Sequence, residues 1–374
     1  MNSSIRQRQL IGSVAIALAV ATAPCVWAQA QSSTPAASKT AGIPRTPWGD
    51  PDLQGTYTNS NESGIPMEKP AEFAGKRQED VTPADLDRLI KQRAARQEKT
   101  AQTIGGSTEN DTGAGPPHWY ENYNAKNSRA WMVSEPEDGK IPATTDEAKK
   151  RAAAVRAARR GGDGYNTGPF DGPQDLTLYV RCITRGLPGS MMPAIYGNTY
   201  DITQGPGVVA IRYEMVHETR IIPLDPSTLR EPQGRPEQGR GATGSGSPRA
   251  ESRGDSRPHL SRALESYMGD ARGHFEGDTL VVETTNVLEK SAYGGASDKI
   301  KIIERWRPTS ANTIEWSISF DDPTTWVKPW TFGMRLSRDE GGHLFEYACH
   351  EGNEGLRGIL SAARAAEREA GSSK

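Results

Sequence analysis

The pattern of hydrophobic and polar residues divides the chain into an irregular first part and a β-rich second part. From residue 176 onward, apolar residues alternate with polar ones in short segments separated by glycine- and proline-containing turns. The clearest segment is residues 313–320, in which Trp316, Ile318 and Phe320 alternate with serines and a glutamate. A period of two places the apolar side chains on one face of a β-strand.

This pattern predicts a mainly β fold. We expect strands at residues 176–183, 198–203, 208–215, 216–224, 267–275, 279–286, 299–307, 313–320, 330–338 and 344–349. Most are joined by short turns, as at Glu276-Gly277-Asp278, so neighbouring strands should be antiparallel. Closing the sheet would remove its exposed edges. We therefore predict an antiparallel lipocalin-like barrel, with a two-sheet sandwich as the alternative.

The first part of the chain predicts an extended arm and a few peripheral helices. Residues 43–55 are interrupted by prolines, which excludes a helix or a central strand there. Thr82 and Pro83 form an N-cap and first turn for one helix, and Thr144 is the expected N-cap of a second. An alanine-rich stretch at residues 355–369 predicts a closing helix.

Four regions follow from this reading. Arg6 and Arg8 precede an apolar run that is too short to span a membrane, and Ala28-Gln29-Ala30 fits a signal-peptidase site. We expect a signal peptide at residues 1–30, the arm with its two helices at 31–170 and the β domain at 171–370. A Gly-, Pro- and Arg-rich insertion at 230–258 should be disordered. The predicted location is the periplasm or the exterior.

The charge balance excludes partners that are recognised by bulk charge. The chain has 45 basic and 47 acidic residues and a formal net charge of −2. Neither nucleic acid nor, after signal cleavage, a membrane is expected to bind it. A small molecule is the expected partner.

Two cysteines remain after the predicted cleavage removes Cys25. In an oxidising compartment, Cys182 and Cys349 can form a disulfide. The alternative is two buried free thiols, because the sequence gives no distance between them.

Three motifs carry a resemblance to a known group of proteins. PWGDPDLQG at residues 47–55, DDPTTW at 321–326 and YACHEGN at 347–353 resemble those of a large family of secreted bacterial proteins of unknown function. The resemblance spans nearly the whole mature chain and supports its domain limits. It implies no activity and no residue roles.

Two groups of residues are candidates for catalysis. Glu214, His217 and Arg220 fall near one hairpin, and His350 with Glu351 follows the last predicted strand. A histidine beside a carboxylate can act as a general acid or base near neutral pH, and an arginine can hold an anionic group or an enolate. The alternative is that these residues cap strand ends and tie loops together.

The candidate substrate-binding residues are aromatic, with one carboxylate. They are Trp316, Trp326, Trp330, Tyr347 and Asp322. Asp322 precedes a proline, which is a turn signal, so its expected role is to end the strand and direct two tryptophans toward the mouth of the barrel. The sequence lacks HExxH, CxxC, GxSxG and nucleotide-binding motifs, and we predict no metal and no cofactor.

Three functions fit these features. The first is an exported, cofactor-independent enzyme (a lyase, isomerase, dehydratase or cyclase) that transfers protons on a small apolar or aromatic molecule inside the barrel. The second is a periplasmic binding module for such a molecule, without turnover. The third is a structural or partner-binding accessory protein.

Overall fold

The computed structural model describes residues 42–105, 125–158, 170–225 and 258–372. The fold is mainly β, as predicted: one antiparallel sheet curls into a nearly closed barrel, accompanied by three α-helices in the described ranges. The strands are β1 Gly55–Thr58, β2 Val133–Glu135, β3 Thr199–Gly205, β4 Val208–Tyr213, β5 Thr219–Pro223, β6 Asp270–Glu276, β7 Thr279–Thr285, β8 Lys301–Ser310, β9 Thr313–Asp321 and β10 Trp330–Arg338. Their order is β5-β4-β3-β1-β10-β9-β8-β7-β6, and β2 pairs with β10.

The predicted alternation places the core inside this barrel. Along β9, Ile314, Trp316, Ile318 and Phe320 are all buried, whereas the residues between them are partly exposed or exposed. The hairpin of β6 and β7 turns at Gly277, whose φ of 61° suits glycine. The barrel interior is therefore built mainly from the inward faces of sequential hairpins.

The predicted arm contributes two strands to the sheet. Its residues 55–58 form β1, which pairs with both β3 and β10, and Val133–Glu135 forms β2 on the same edge of β10. Tyr57 of β1 is buried in the core. The prolines stop just before β1, so its backbone is free to join the sheet.

The barrel nearly closes where β5 approaches β6. Leu224 and Gly273 form a parallel bridge, and the Asp225 N–H donates to the Gly273 carbonyl at 2.8 Å. A Cβ on Gly273 would lie 2.8 Å from Leu224 Cδ2 and 2.9 Å from Ile222 Cγ2. Glycine at this position therefore permits the close approach, which we call the seam.

Two predicted strands are wrong. Residues 176–183 form local turns, with hydrogen bonds such as Ile183 N to the Leu178 carbonyl at 2.9 Å, and residues 344–349 are irregular. The edge of β10 that the second of these strands was expected to occupy is paired with β1 and β2. In residues 176–183, the apolar side chains of Leu176 and Cys182 are buried, but the backbone forms turns and not a strand.

The helices are α1 Pro83–Gly105, α2 Asp146–Ala158 and α3 Glu354–Ser372. Thr82 caps α1 as predicted, accepting the Asp85 N–H at 3.1 Å. The cap of α2 is Thr145, which accepts the Ala148 N–H at 3.1 Å. The predicted cap Thr144 is wrong, because that residue bridges to Trp326 instead.

Cys182 and Cys349 form the predicted disulfide, with Cα atoms 5.7 Å apart. It joins the turns at residues 176–183 to the segment that leads into α3. The predicted signal peptide and nearly all of the predicted insertion lie outside the described residues.

Candidate functional site

A buried ion pair crosses the barrel interior. Arg220 on β5 is 4% exposed and Glu304 on β8 is fully buried. One guanidinium nitrogen, Nη1, donates to Glu304 Oε2, and Nη2 donates to Thr284 Oγ1 on β7 at 2.5 Å. The other carboxylate oxygen of Glu304 accepts the Trp316 indole N–H at 3.1 Å. Arg220 thus reaches over β6 and links the two sides of the seam.

The surroundings of Arg220 favour its charged form. Burial lowers the pKa of Arg220, but the adjacent Glu304 carboxylate and Tyr213 together outweigh burial, so the pKa lies above its ordinary value. Tyr213 lies beside the same guanidinium, and burial raises the pKa of its hydroxyl. At neutral pH the interior therefore holds a guanidinium and a neutral phenol beside Glu304.

Three buried polar groups in this region make no well-formed hydrogen bond with any described residue: the Tyr213 hydroxyl, Arg220 Nε and the indole nitrogen of Trp306. The Tyr213 hydroxyl does lie against the Arg220 guanidinium and interacts with it electrostatically. Trp306 stands two residues from Glu304 on β8 and faces the same way, because strand side chains alternate. Native interiors satisfy the great majority of such groups, which makes this cluster chemically unusual.

Aromatic rings surround the ion pair. Trp306 and Trp316 meet edge to face with centroids 6.0 Å apart, and Trp316 meets Phe332 in the same way at 5.8 Å. Further along the barrel, Trp330 packs on Phe320 at 4.8 Å. These contacts are typical of a packed aromatic core.

The tryptophans predicted to bind substrate are part of this core. Trp316, Trp326 and Trp330 are each at most 3% exposed. Trp326 and Trp330 pack edge to face at 5.7 Å within the buried core cluster.

Asp322 organises that turn. It is buried and accepts four hydrogen bonds: from Ser297 N at 2.7 Å, Thr324 N at 3.0 Å, Thr324 Oγ1 at 2.7 Å and Thr325 Oγ1 at 2.5 Å. Burial raises the pKa of this carboxyl, but the hydrogen bonds outweigh burial and hold the pKa below its ordinary value. This arrangement fits the predicted role of ending the strand.

The structure separates several of the predicted catalytic residues. Glu214 lines a shallow surface groove of about 280 Å³ with Asp339, His343 and Phe345, whereas Arg220 lies in the interior. Glu214 also accepts the Thr199 N–H at 3.0 Å. The side chain of His217 lies outside the described part of the structure.

The second predicted group lies in a turn next to the disulfide. His350 and Glu351 are both exposed there. Tyr347 stacks on Tyr196 with centroids 6.5 Å apart, and burial, followed by the neighbouring Tyr179 and Tyr196, raises its pKa. Tyr347 thus belongs to a tyrosine cluster beside Cys349.

Sequence reasoning missed Glu304, Thr284, Tyr213 and Trp306. Glu304 did leave a signal, because it stands at an inward position between the apolar Ile302 and Trp306. A carboxylate at a core position needs a partner. The identity of that partner depends on the closure of the barrel, which the sequence does not reveal.

Within the described ranges, no group of three His, Cys, Asp or Glu side chains is placed to hold a metal ion. No helix in these ranges has both the length and the apolar character needed to cross a membrane.

Comparison of the chain with protein-family models, curated proteins and solved structures gave no match. The resemblance to secreted bacterial proteins therefore stays a prediction.

Proposed function

We propose that this protein is an exported barrel that binds a small, largely apolar or aromatic molecule in its interior, next to Arg220 and Glu304. The observation that carries the proposal is the cluster of unpaired buried groups on Arg220, Tyr213 and Trp306. Burying a polar group without a hydrogen bond costs about 1–3 kcal/mol. Several such groups beside one ion pair can serve as the polar anchor of a ligand, in the way that a few placed polar groups orient ligands in small-molecule sites.

The surroundings favour an apolar or aromatic body for that ligand. Trp306, Trp316 and Phe332 form a contiguous aromatic wall next to the ion pair. Small-molecule sites combine such walls with a few placed polar groups.

Export is the expected context of this activity. The chain begins with a predicted signal peptide, and the Cys182–Cys349 disulfide is typical of oxidising compartments. The periplasm or the exterior is therefore the proposed location.

Binding can be tested with small aromatic probes on the disulfide-bonded protein. We expect at least one of indole, acetophenone and benzoate to raise the melting temperature saturably and to change tryptophan fluorescence. Trp306→Phe keeps an aromatic ring but removes the unpaired N–H, and it should weaken this binding. Failure of all three probes to bind would contradict the proposal and favour the accessory role.

The proton-transfer enzyme expected from the sequence is a second candidate. The observation that favours it is the presence of two donors, Arg220 and Tyr213, beside the Glu304 carboxylate. Donors of this kind can stabilise an enolate oxygen while a carboxylate accepts the proton. The predicted acid–base residues Glu214, His217, His350 and Glu351 remain part of this candidate.

Turnover can be measured separately from binding. In deuterated buffer, an enzyme of this kind should exchange the methyl protons of acetophenone faster than buffer alone, as followed by NMR. Tyr213→Phe should reduce the exchange rate without unfolding the barrel. Binding without exchange would assign the protein to the binding modules.

A further inference from the structure

We propose that the group of the ligand that enters the barrel interior is a neutral hydrogen-bond acceptor, such as the carbonyl oxygen of an aromatic ketone, aldehyde, ester or amide. This inference rests on the proposed binding function and names its ligand class. It follows from two features of the surroundings of Arg220: the hydrogen-bond donors without a partner and the balance of charges.

The unpaired groups around Arg220 can all donate a hydrogen bond. The unpaired atoms of Arg220 and Trp306 are N–H groups, which donate and cannot accept. The Tyr213 hydroxyl can donate as well. A ligand group that satisfies all three must therefore offer acceptor lone pairs, which an ammonium group lacks.

Acidic side chains balance the charge of Arg220. The guanidinium of Arg220 already pairs with the carboxylate of Glu304. Glu218, just before β5, also interacts electrostatically with Arg220 and accepts a hydrogen bond from Thr184 Oγ1 at 2.6 Å. The positive charge of Arg220 is thus matched before any ligand arrives.

An anionic ligand would therefore be poorly compensated. A carboxylate next to Glu304 would add a buried negative charge beside an arginine that is already paired in the described structure, and burial of an unpaired charge is strongly unfavourable. A neutral carbonyl accepts the same hydrogen bonds without this electrostatic cost. A neutral acceptor is therefore the group that fits both the hydrogen-bond donors and the charge balance around Arg220.

Three probes of similar size separate the possibilities. Acetophenone offers a neutral acceptor, benzoate an anionic acceptor and benzylamine a cationic donor. Calorimetric titration of the disulfide-bonded protein at neutral pH should give the tightest binding for acetophenone, by about tenfold over either charged probe, which is the order of one buried hydrogen bond or charge contact.

Variants test whether the contact lies at the proposed position. Trp306→Phe removes one unpaired donor and should weaken acetophenone binding by several-fold, on the order of one neutral hydrogen bond. Val327→Ala, on the surface and 63% exposed, is the control and should leave the affinity unchanged.

The outcomes distinguish this inference from the function on which it rests. Benzoate or benzylamine binding more tightly than acetophenone, with loss in Trp306→Phe, would overturn the neutral-acceptor class but keep the binding function. If none of the probes binds, both proposals fail. Acetophenone affinity that is the same in Trp306→Phe and wild type would also overturn the inference, because binding would then lie elsewhere.

Discussion

Two buried carboxylates lie close to the same pair of strands but have opposite surroundings. Asp322, just after β9, has both oxygens saturated by four short hydrogen bonds from its own turn and from Ser297. Glu304, on β8, is bound by Arg220 and Trp316, while Arg220 Nε and the nearby Trp306 indole stay unpaired. A carboxylate whose oxygens are fully hydrogen-bonded stabilises the fold, whereas a polar cluster with unpaired donors can still bind a ligand.

The largest expected effect comes from breaking the ion pair. Arg220→Met should lower the free energy of unfolding by about 3–5 kcal/mol, because Glu304 would remain buried without its cation. Urea denaturation would measure the loss.

The matched control removes both charges. The double variant Arg220→Met/Glu304→Gln should recover most of the lost stability, since no charge is then left unpaired. A double variant as unstable as the single one would contradict this account of the cluster.

The saturated carboxylate should be the next most sensitive position. Asp322→Asn replaces one acceptor oxygen with an NH₂ group and leaves the Ser297 N–H and Thr325 hydroxyl without their acceptor, which should cost about 2–3 kcal/mol. Its exposed neighbour provides the comparison: Asp321→Asn should change stability by less than about 0.5 kcal/mol. Equal losses in the two variants would argue against a special role for Asp322.

The same carboxylate predicts a pH dependence. The pKa of Asp322 is lower in the folded protein than its ordinary value of 3.8, so the folded state favours the ionised form. Its contribution to stability is present above that ordinary value and is lost as the pH falls through the folded pKa. Urea midpoints should therefore fall less steeply on acidification in Asp322→Asn than in wild type, and parallel acid limbs would refute this.

Two tryptophans with similar burial give a smaller and more specific contrast. Trp316→Phe removes a hydrogen bond to the Glu304 carboxylate, whereas Trp306→Phe removes an N–H that has no partner among the described residues. Both substitutions delete the same volume. Trp316→Phe should therefore be about 1–2 kcal/mol less stable than Trp306→Phe, as measured by thermal unfolding without ligand.

A pair of tyrosines should show the smallest effect. Tyr200 and Tyr213 face each other across β3 and β4. The Tyr200 hydroxyl donates to the Met191 carbonyl at 3.2 Å, whereas the Tyr213 hydroxyl makes no well-formed hydrogen bond with a described residue. Tyr200→Phe should lower the free energy of unfolding by about 1 kcal/mol, whereas Tyr213→Phe should change it by less than about 0.5 kcal/mol. The reverse order would mean that the contact between the Tyr213 hydroxyl and Arg220 stabilises the free protein.

The sequence predicted the fold where alternation was strong and failed where it was weak. The hairpins from β6 to β9 were recognisable because each buries one face. Strands β1 and β2 were missed because they are short and lie in an irregular, proline-rich part of the chain. Residues 176–183 were misassigned because an apolar run cannot by itself distinguish a packed turn from a strand.

The candidate site was only partly predictable. Arg220 was chosen for its charge near a histidine, but its partner Glu304 is distant in the sequence and meets it only because the barrel curls. The turn role of Asp322 could be inferred from the proline that follows it. The unpaired donors could not be inferred at all, since hydrogen-bond satisfaction is a property of the packed interior.

The seam at Gly273 also affects how the barrel opens. Strands β6 to β10 are joined by continuous antiparallel ladders, whereas the seam is held by the Leu224–Gly273 bridge and by the hydrogen bond from the Asp225 N–H to the Gly273 carbonyl. Local opening costs less free energy where fewer contacts must break. We expect the seam to be the first part of the sheet to open transiently. In hydrogen exchange, the amide of Asp225 should therefore exchange with solvent well before that of Val282.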